Sequence, residues 1–237
     1  MSVRTNDFKD LLTGTKKFSN VYANAIKHGS YTPPIDIEYN GEKIIVKGDF
    51  ELNDDIIFQM GEIYNKEIIF DGGTYKNIIF RGGKFNKIFF RRGIFNGFVS
   101  IRGGSIENLI LLGGTFNHWL GTIDGNVNSE NGKDMIADEP LFIKRFEIEG
   151  GNYLNNIWIS GGTIDSLEIK CVTPVKIHCK PNDDKVFDTL KNEYTDRFIS
   201  SLDIRNLIIS RYSNKDNFFH FSKLELETIK FENFTSK

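Results

Sequence analysis

Four histidines, two cysteines and a run of basic residues are the side chains with the most chemistry to offer. His28, His118, His178 and His220 are far apart, and none has a carboxylate, a cysteine or a second histidine at a spacing that makes a local catalytic or metal pair. His178 beside Cys179, with Cys171 upstream, comes nearest to a ligand cluster. Neighbouring residues on a strand point to opposite faces, so that pair does not easily serve one ion. No G-x-S-x-G, P-loop, H-E-x-x-H or dinucleotide fingerprint occurs. The expectation is therefore no catalytic residue, no cofactor and no metal.

Carboxylates tell the same story. An acid-pair glycosidase needs two carboxyls flanking the scissile bond. The best acids are Asp124 in TIDGN and Asp134 in NGKDM, and both fall in a polar stretch where acids usually serve solvation. From Gly72 to Ile106 there is no acid at all. That stretch is instead basic, with Lys76, Arg81, Lys84, Lys87, Arg91, Arg92 and Arg102. Such residues are commonly solvated gatekeepers on strand-rich surfaces. Their other reading is a contact face for an acidic protein, nucleic acid or anionic glycan.

What positions these residues is a repeat. From Asp71 the sequence falls into DGGTYKNIIF, RGGKFNKIFF, RRGIFNGFVS, IRGGSIENLI and LLGGTFNHWL, with one extra residue near Ile101. The pattern is Gly-Gly-x-aromatic-x-Asn-apolar-x-apolar-x, and it returns in EGGNYLNNIWIS and SGGTIDSLEIK. Short apolar runs such as Ile78–Phe80 and Ile88–Phe90 are strand signals. The paired glycines suit corners with positive φ, and the recurring Asn77, Asn86, Asn96, Asn108 and Asn117 suit turns. If two units make one layer, Tyr75 lies near Phe95 and Phe116, and Phe85 near Ile106.

Composition agrees. The 237 residues carry 30 Lys+Arg against 32 Asp+Glu, a net charge of −2, and include 22 Gly and 21 Phe. Ala occurs only at Ala23, Ala25 and Ala137, which excludes a helical bundle or helical repeat. Two cysteines exclude a disulfide scaffold. No apolar run reads as a signal peptide or a transmembrane helix. The fold expected is all-β: a right-handed β-solenoid built from ten-residue GGxF-type half-coils, with an N-terminal helical cap and one C-terminal helix.

The beats Tyr75, Phe80, Phe85, Phe90 and Phe95 resemble the pentapeptide-repeat family and its degenerate β-solenoid relatives. The resemblance covers about Gly61 to Trp119 and Glu147 to Ile169. It implies a right-handed quadrilateral β-helix, and a function like that of the several members that bind other proteins. Some members resemble DNA in shape and charge. This chain departs from them, with Gly-Gly where the family has a small residue before Asn or Asp. The basic run from Arg81 to Arg102 argues against DNA mimicry.

Along the chain, residues 1–30 read as the helical cap and 31–182 as the repeat domain, with an inserted loop at 121–140. Residues 183–201 read as an amphipathic helix with Val186, Phe187, Leu190, Tyr194 and Phe198 on its apolar stripe. Residues 202–237 read as C-terminal strands or further coils. The function expected is a non-enzymatic β-solenoid presenting a rigid surface for another macromolecule, in the first place a protein. The candidate contacts are Arg81, Lys84, Arg91, Arg92, Arg102, Asp124, Asn126 and Lys133. Nucleic acid and anionic glycan are weaker partner readings, no membrane is expected, and a homo-oligomer is compatible. The alternatives are a structural component of a phage particle or surface fibre and, last, a carbohydrate-processing β-helix. The expected location is the cytoplasm, or the virion for a phage-encoded protein.

Overall fold

The computed structural model describes residues 35–39, 43–52, 55–58, 63–122, 139–170, 176–179, 202–210, 218–221 and 228–232. Their strands form two sheets, and the chain passes back and forth between them. The larger sheet has 11 strands. Its main path runs through β1 (Ile35–Tyr39), β2 (Lys43–Leu52), β4 (Ile63–Tyr75), β6 (Lys84–Phe95), β8 (Gly104–Leu111), β11 (Leu141–Ile148), β14 (Gly162–Ile169), β16 (Leu202–Ser210) and β18 (Thr228–Glu232). The short strands β9 (Thr115–Phe116) and β12 (Asn152–Tyr153) continue from the end of β6. The smaller, 7-stranded sheet holds β3 (Ile56–Phe58), β5 (Ile78–Phe80), β7 (Val99–Ile101), β10 (Leu120–Thr122), β13 (Ile157–Ile159), β15 (Lys176–Cys179) and β17 (Phe218–Phe221). Among the described residues every pairing is parallel except β1 with β2.

This corrects the expected right-handed β-solenoid of equal half-coils. The strands gather into two parallel sheets with unequal elements: β4 has 13 residues and β6 has 12, whereas β5 and β7 have 3 each. No helix occurs among the described residues, and the expected helical segments 1–30 and 183–201 lie outside them. The ten-residue motif misled because its units are chemically alike but conformationally different. Gly72-Gly73 lies inside the long strand β4 and was expected to be a corner. The pairing shifts register there, between Asp71 and Thr74, so the glycines absorb an irregularity within a strand. Gly73 sits at φ 79°, and a Cβ on it would come within 2.2 Å of the Phe50 ring. Only glycine satisfies both conditions.

The interior is one cluster fed by both sheets. Parallel register puts equivalent residues side by side from strand to strand. Val46, Phe70, Phe90, Leu111, Ile148, Ile169 and Ile209 form one inward row of the larger sheet. Ile56, Ile78, Val99, Leu120, Ile157 and Ile177 form one in the smaller sheet. Aromatic rows become ring stacks. The rings of Tyr75, Phe95, Phe116 and Tyr153 stack nearly parallel at successive centroid distances of 5.1, 4.6 and 5.0 Å. Phe58 stacks on Phe80 at 4.7 Å and Phe70 on Phe90 at 4.9 Å. Each ring in these rows covers the face of its neighbour, so adjacent strands share buried area that an alternating aliphatic row would supply less fully. Two ten-residue units thus separate paired residues, which places Tyr75 beside Phe95 and Phe85 beside Ile106 as the repeat implied.

The recurring asparagines have a job that turn propensity did not reveal. Asn77 accepts the Phe98 backbone N–H on its Oδ1 at 2.9 Å and donates from Nδ2 to Asp55 Oδ1 at 2.9 Å. Asn117 donates to Asn96 Oδ1 at 2.8 Å, and Asn108 to the Asn86 carbonyl at 3.3 Å. Asn77, Asn96 and Asn117 tie one layer to the next between the strands, whereas Asn86 and Asn108 do so beside the β6–β8 ladder.

Candidate interaction surface

The apolar triplets of the long strands decide what the larger sheet shows outward. Period-two alternation turns only the outer two of Ile68, Ile69 and Phe70, or of Ile88, Phe89 and Phe90, toward the core. The middle residue must point away from the core. Register then aligns these residues with Ile45 on β2 and Ile110 on β8, giving the outward row Ile45, Ile69, Phe89, Ile110. Ile69 is buried, while Ile45, Phe89 and Ile110 are half-buried.

Charged rows flank it on both sides. Lys43, Glu67, Lys87 and Asn108 align on one side. Lys47, Asp71 and Arg92 align on the other. The Lys87 ammonium sits 5.1 Å from the Phe89 ring centre, a cation–π contact that roofs part of the apolar row. Arg92 holds Asp71 through Nε to Oδ1 at 2.6 Å and Nη2 to Oδ2 at 3.1 Å, with Arg91 Nη1 3.4 Å from Oδ2. Asp71 is only 5% exposed. The hydrogen bond from Arg92 keeps its carboxyl below the usual carboxylate range, and the charges of Arg92, Arg91 and Lys47 add to this against the cost of burial.

Further along the same row the apolar residues give way to Glu147 and Glu168. Lys170 Nζ lies 2.7 Å from Glu147 and 2.8 Å from Glu168, and Arg145 Nη2 lies 2.7 Å from Glu168 and 3.3 Å from Glu147. Glu149 is hydrogen-bonded to Glu147, and that bond, with partial burial, raises its pKa. Burial pushes Glu147 up, but the hydrogen bonds of Glu149 and Lys170 and the charges of Lys170 and Arg145 outweigh it and lower the pKa. This half of the face is an ion-pair network linking β11 to β14.

The structure separates the residues expected to form one basic contact face. Arg91 and Arg92 are exposed on β6 and turned toward Asp71. Lys84 opens β6 and is exposed. Arg81 follows β5, half-buried, with its backbone N–H on the Phe58 carbonyl at 2.8 Å. Arg102 is a correction: it is 1% exposed and donates from Nε to Ser100 Oγ at 2.8 Å, so it is no surface contact. Asp124, Asn126, Lys133 and Asp134 lie outside the described residues. The expected loop 121–140 starts later than its boundary, because Gly121 and Thr122 belong to β10. At its far end Glu139 accepts the Gly83 N–H, and the Pro140 carbonyl accepts Gly104 N–H at 3.2 Å.

Among the described residues no group of three or more His, Cys, Asp or Glu is placed to hold a metal ion, and no helix is long and apolar enough to cross a membrane. His178 lies on β15, stacked on Trp158 at 4.3 Å and in register with His220. Compared with known proteins, the chain matches no family model, no curated protein and no solved structure.

The sequence reading missed the outward row Ile45, Ile69, Phe89, Ile110 and the network around Glu147. The row had a signal. Three consecutive apolar residues in a strand with one inward face leave the middle one outside. The network had none, because Arg145 and Glu168 meet only through the register of β11 on β14.

Proposed function

We propose that this protein is a non-enzymatic scaffold whose larger sheet presents a rigid outward face to another macromolecule, namely a protein. The observation that carries this is the apolar row Ile45, Ile69, Phe89, Ile110, fixed by register across four strands and bordered by charged rows. A mixed face of this kind, apolar at its centre and polar at its rim, has the anatomy of a protein contact. It stands on a continuous buried core, so little ordering is needed on binding. The carboxylates of the Glu147 network are engaged with Lys170 and Arg145, which favours a structural role for them over acid–base work.

The test is affinity capture from cell lysate with the wild-type chain and a Phe89→Thr/Ile110→Thr variant, each first shown to be folded by circular dichroism. A protein recovered with wild type and lost with the variant, and then shown to bind the purified chain, supports the reading. Equal recovery with both, or no specific protein with either, overturns it.

A further inference from the structure

Independently of the binding reading above, we infer that Asn96 is a modification site: an asparagine whose deamidation through a succinimide is gated by the corner that holds it.

Among the described residues two pairs place a carboxyl or carboxamide side chain directly before a glycine, Asp71-Gly72 and Asn96-Gly97. A glycine nitrogen carries no neighbouring Cβ to obstruct its attack on the side-chain carbon. Asp71 is nearly buried on a strand paired on both sides, and Arg92 grips its carboxylate as an anion, which has no group to lose. Asn96 is exposed, between the end of β6 at Phe95 and the start of β7 at Val99. Of the two, Asn96 is the one that solvent reaches.

The corner cannot avoid this pair by giving up the glycine. A Cβ on Gly97 would run into Asn77 Oδ1 and the Lys76 carbonyl of the preceding layer. That Asn77 oxygen is itself held in place, because it accepts the Phe98 N–H at 2.9 Å. Packing therefore demands glycine at 97, and glycine makes Asn96 labile.

What the structure supplies is restraint. The Gly97 N–H donates to the Lys76 carbonyl at 2.8 Å, which occupies the attacking nitrogen. The Asn96 N–H donates to the Tyr75 carbonyl at 2.8 Å. In the other direction Asn96 Oδ1 accepts from Asn117 Nδ2 at 2.8 Å, which holds the carboxamide toward the following layer. Backbone nitrogen and carboxamide are thus fixed to different layers. Ring closure needs them in a near-attack arrangement, so the corner has to open first.

Once it is open, the Gly97 nitrogen bonds to Asn96 Cγ and the Cγ–Nδ2 bond breaks. Ammonia leaves, taking up the proton that the Gly97 nitrogen gives up. Water then opens the ring at either carbonyl, leaving aspartate or isoaspartate at position 96. The isoaspartate form has an extra methylene in the main chain just ahead of Gly97. That length shifts the Phe98 N–H away from Asn77 and strains the register of β7 on β5. A transient opening is made permanent.

The test is peptide mapping of the full chain aged in mildly alkaline buffer. Trypsin releases residues 93–102, in which Asn96 is the one asparagine, and a synthetic peptide of the same sequence is the ungated reference. Amide-to-acid conversion is read by mass, and chromatography separates the isoaspartate form. Conversion in the folded chain is expected to be slower than in the peptide by at least about tenfold, the factor given by about 1.4 kcal/mol of opening free energy. Asn117→Ala removes the carboxamide's partner and should speed conversion in the folded chain by about threefold to tenfold, the worth of one hydrogen bond. Circular dichroism checks that the variant is folded. If it is not, wild type in sub-denaturing urea takes its place, and its rate should rise with urea. Equal rates in folded chain and peptide overturn the gate. A rate unchanged by Asn117→Ala, or flat in sub-denaturing urea, overturns it as well. No conversion at position 96 in either folded protein while the peptide converts fully removes Asn96 as a modification site.

Discussion

The Arg92 guanidinium grips Asp71 at two points, Nε on Oδ1 at 2.6 Å and Nη2 on Oδ2 at 3.1 Å, across the β4–β6 pair. Asp71 is nearly buried, whereas the Arg92 side chain is largely exposed. The carboxylate is therefore the member with most to lose when the pair breaks.

Acid should expose this. The folded pKa of Asp71 is below its reference of 3.8, so its contribution is complete above that reference and is lost as pH falls through the lower folded value. Glu149 acts in the opposite sense: its raised pKa favours the protonated folded form, and that contribution fades as pH rises through the raised value. Asp71→Asn should lower the denaturation midpoint at neutral pH, and the gap to wild type should shrink in strong acid. A gap independent of pH would show that the ion pair is not its source.

Thr122 points a hydroxyl into the core between Ile101 and Ile159, and its Oγ1 has no hydrogen-bond partner among the described residues. Replacing the hydroxyl by a methyl removes a desolvated polar group at nearly constant volume. Thr122→Val should stabilise by about 1 kcal/mol in urea denaturation. Destabilisation would mean the hydroxyl is satisfied.

Gly121 lies opposite Trp158 in the smaller sheet, and a Cβ there would meet the Trp158 carbonyl oxygen at 1.9 Å. Backbone has to move for alanine to fit. Gly121→Ala should cost at least about 2 kcal/mol, read as a drop in thermal midpoint. A neutral result would show that β10 and β13 can separate freely.

Asn77→Ala removes the acceptor of the buried-side Phe98 N–H and the donor to Asp55. It should cost about 1–3 kcal/mol, whereas Asn96→Ala, at an exposed amide pair, should cost less than about 1 kcal/mol. Equal losses by chemical denaturation would contradict the layer-tying role of Asn77.

Phe95 has Tyr75 on one face and Phe116 on the other. Phe95→Ala should cost about 3–5 kcal/mol, and Phe95→Leu clearly less. A double-mutant cycle with Tyr75→Leu should return a coupling of about 0.5–1.5 kcal/mol. Zero coupling would reduce the stack to simple area burial.

The strand content and the ten-residue beat were legible in the sequence; the partners Tyr75 with Phe95 and Phe85 with Ile106 followed only for two units per layer, a number the sequence left open. Side-chain type and spacing encode which residue faces the core, because alternation and burial are local consequences of strand geometry. The apolar triplets even encoded the outward position of Phe89. Tertiary structure decided the rest. It divided near-identical units between long strands of one sheet and short strands of another, and it put Gly72-Gly73 inside a strand. Arg102 went under the surface, although it looks like an exposed gatekeeper in the one-dimensional pattern, and Arg92, exposed as such a residue would be, took Asp71 as its partner. The Lys170–Glu147–Glu168 network joins residues from different strands. Such outcomes depend on which strands become neighbours and in what register, and that is a property of the assembled sheets rather than of any single repeat.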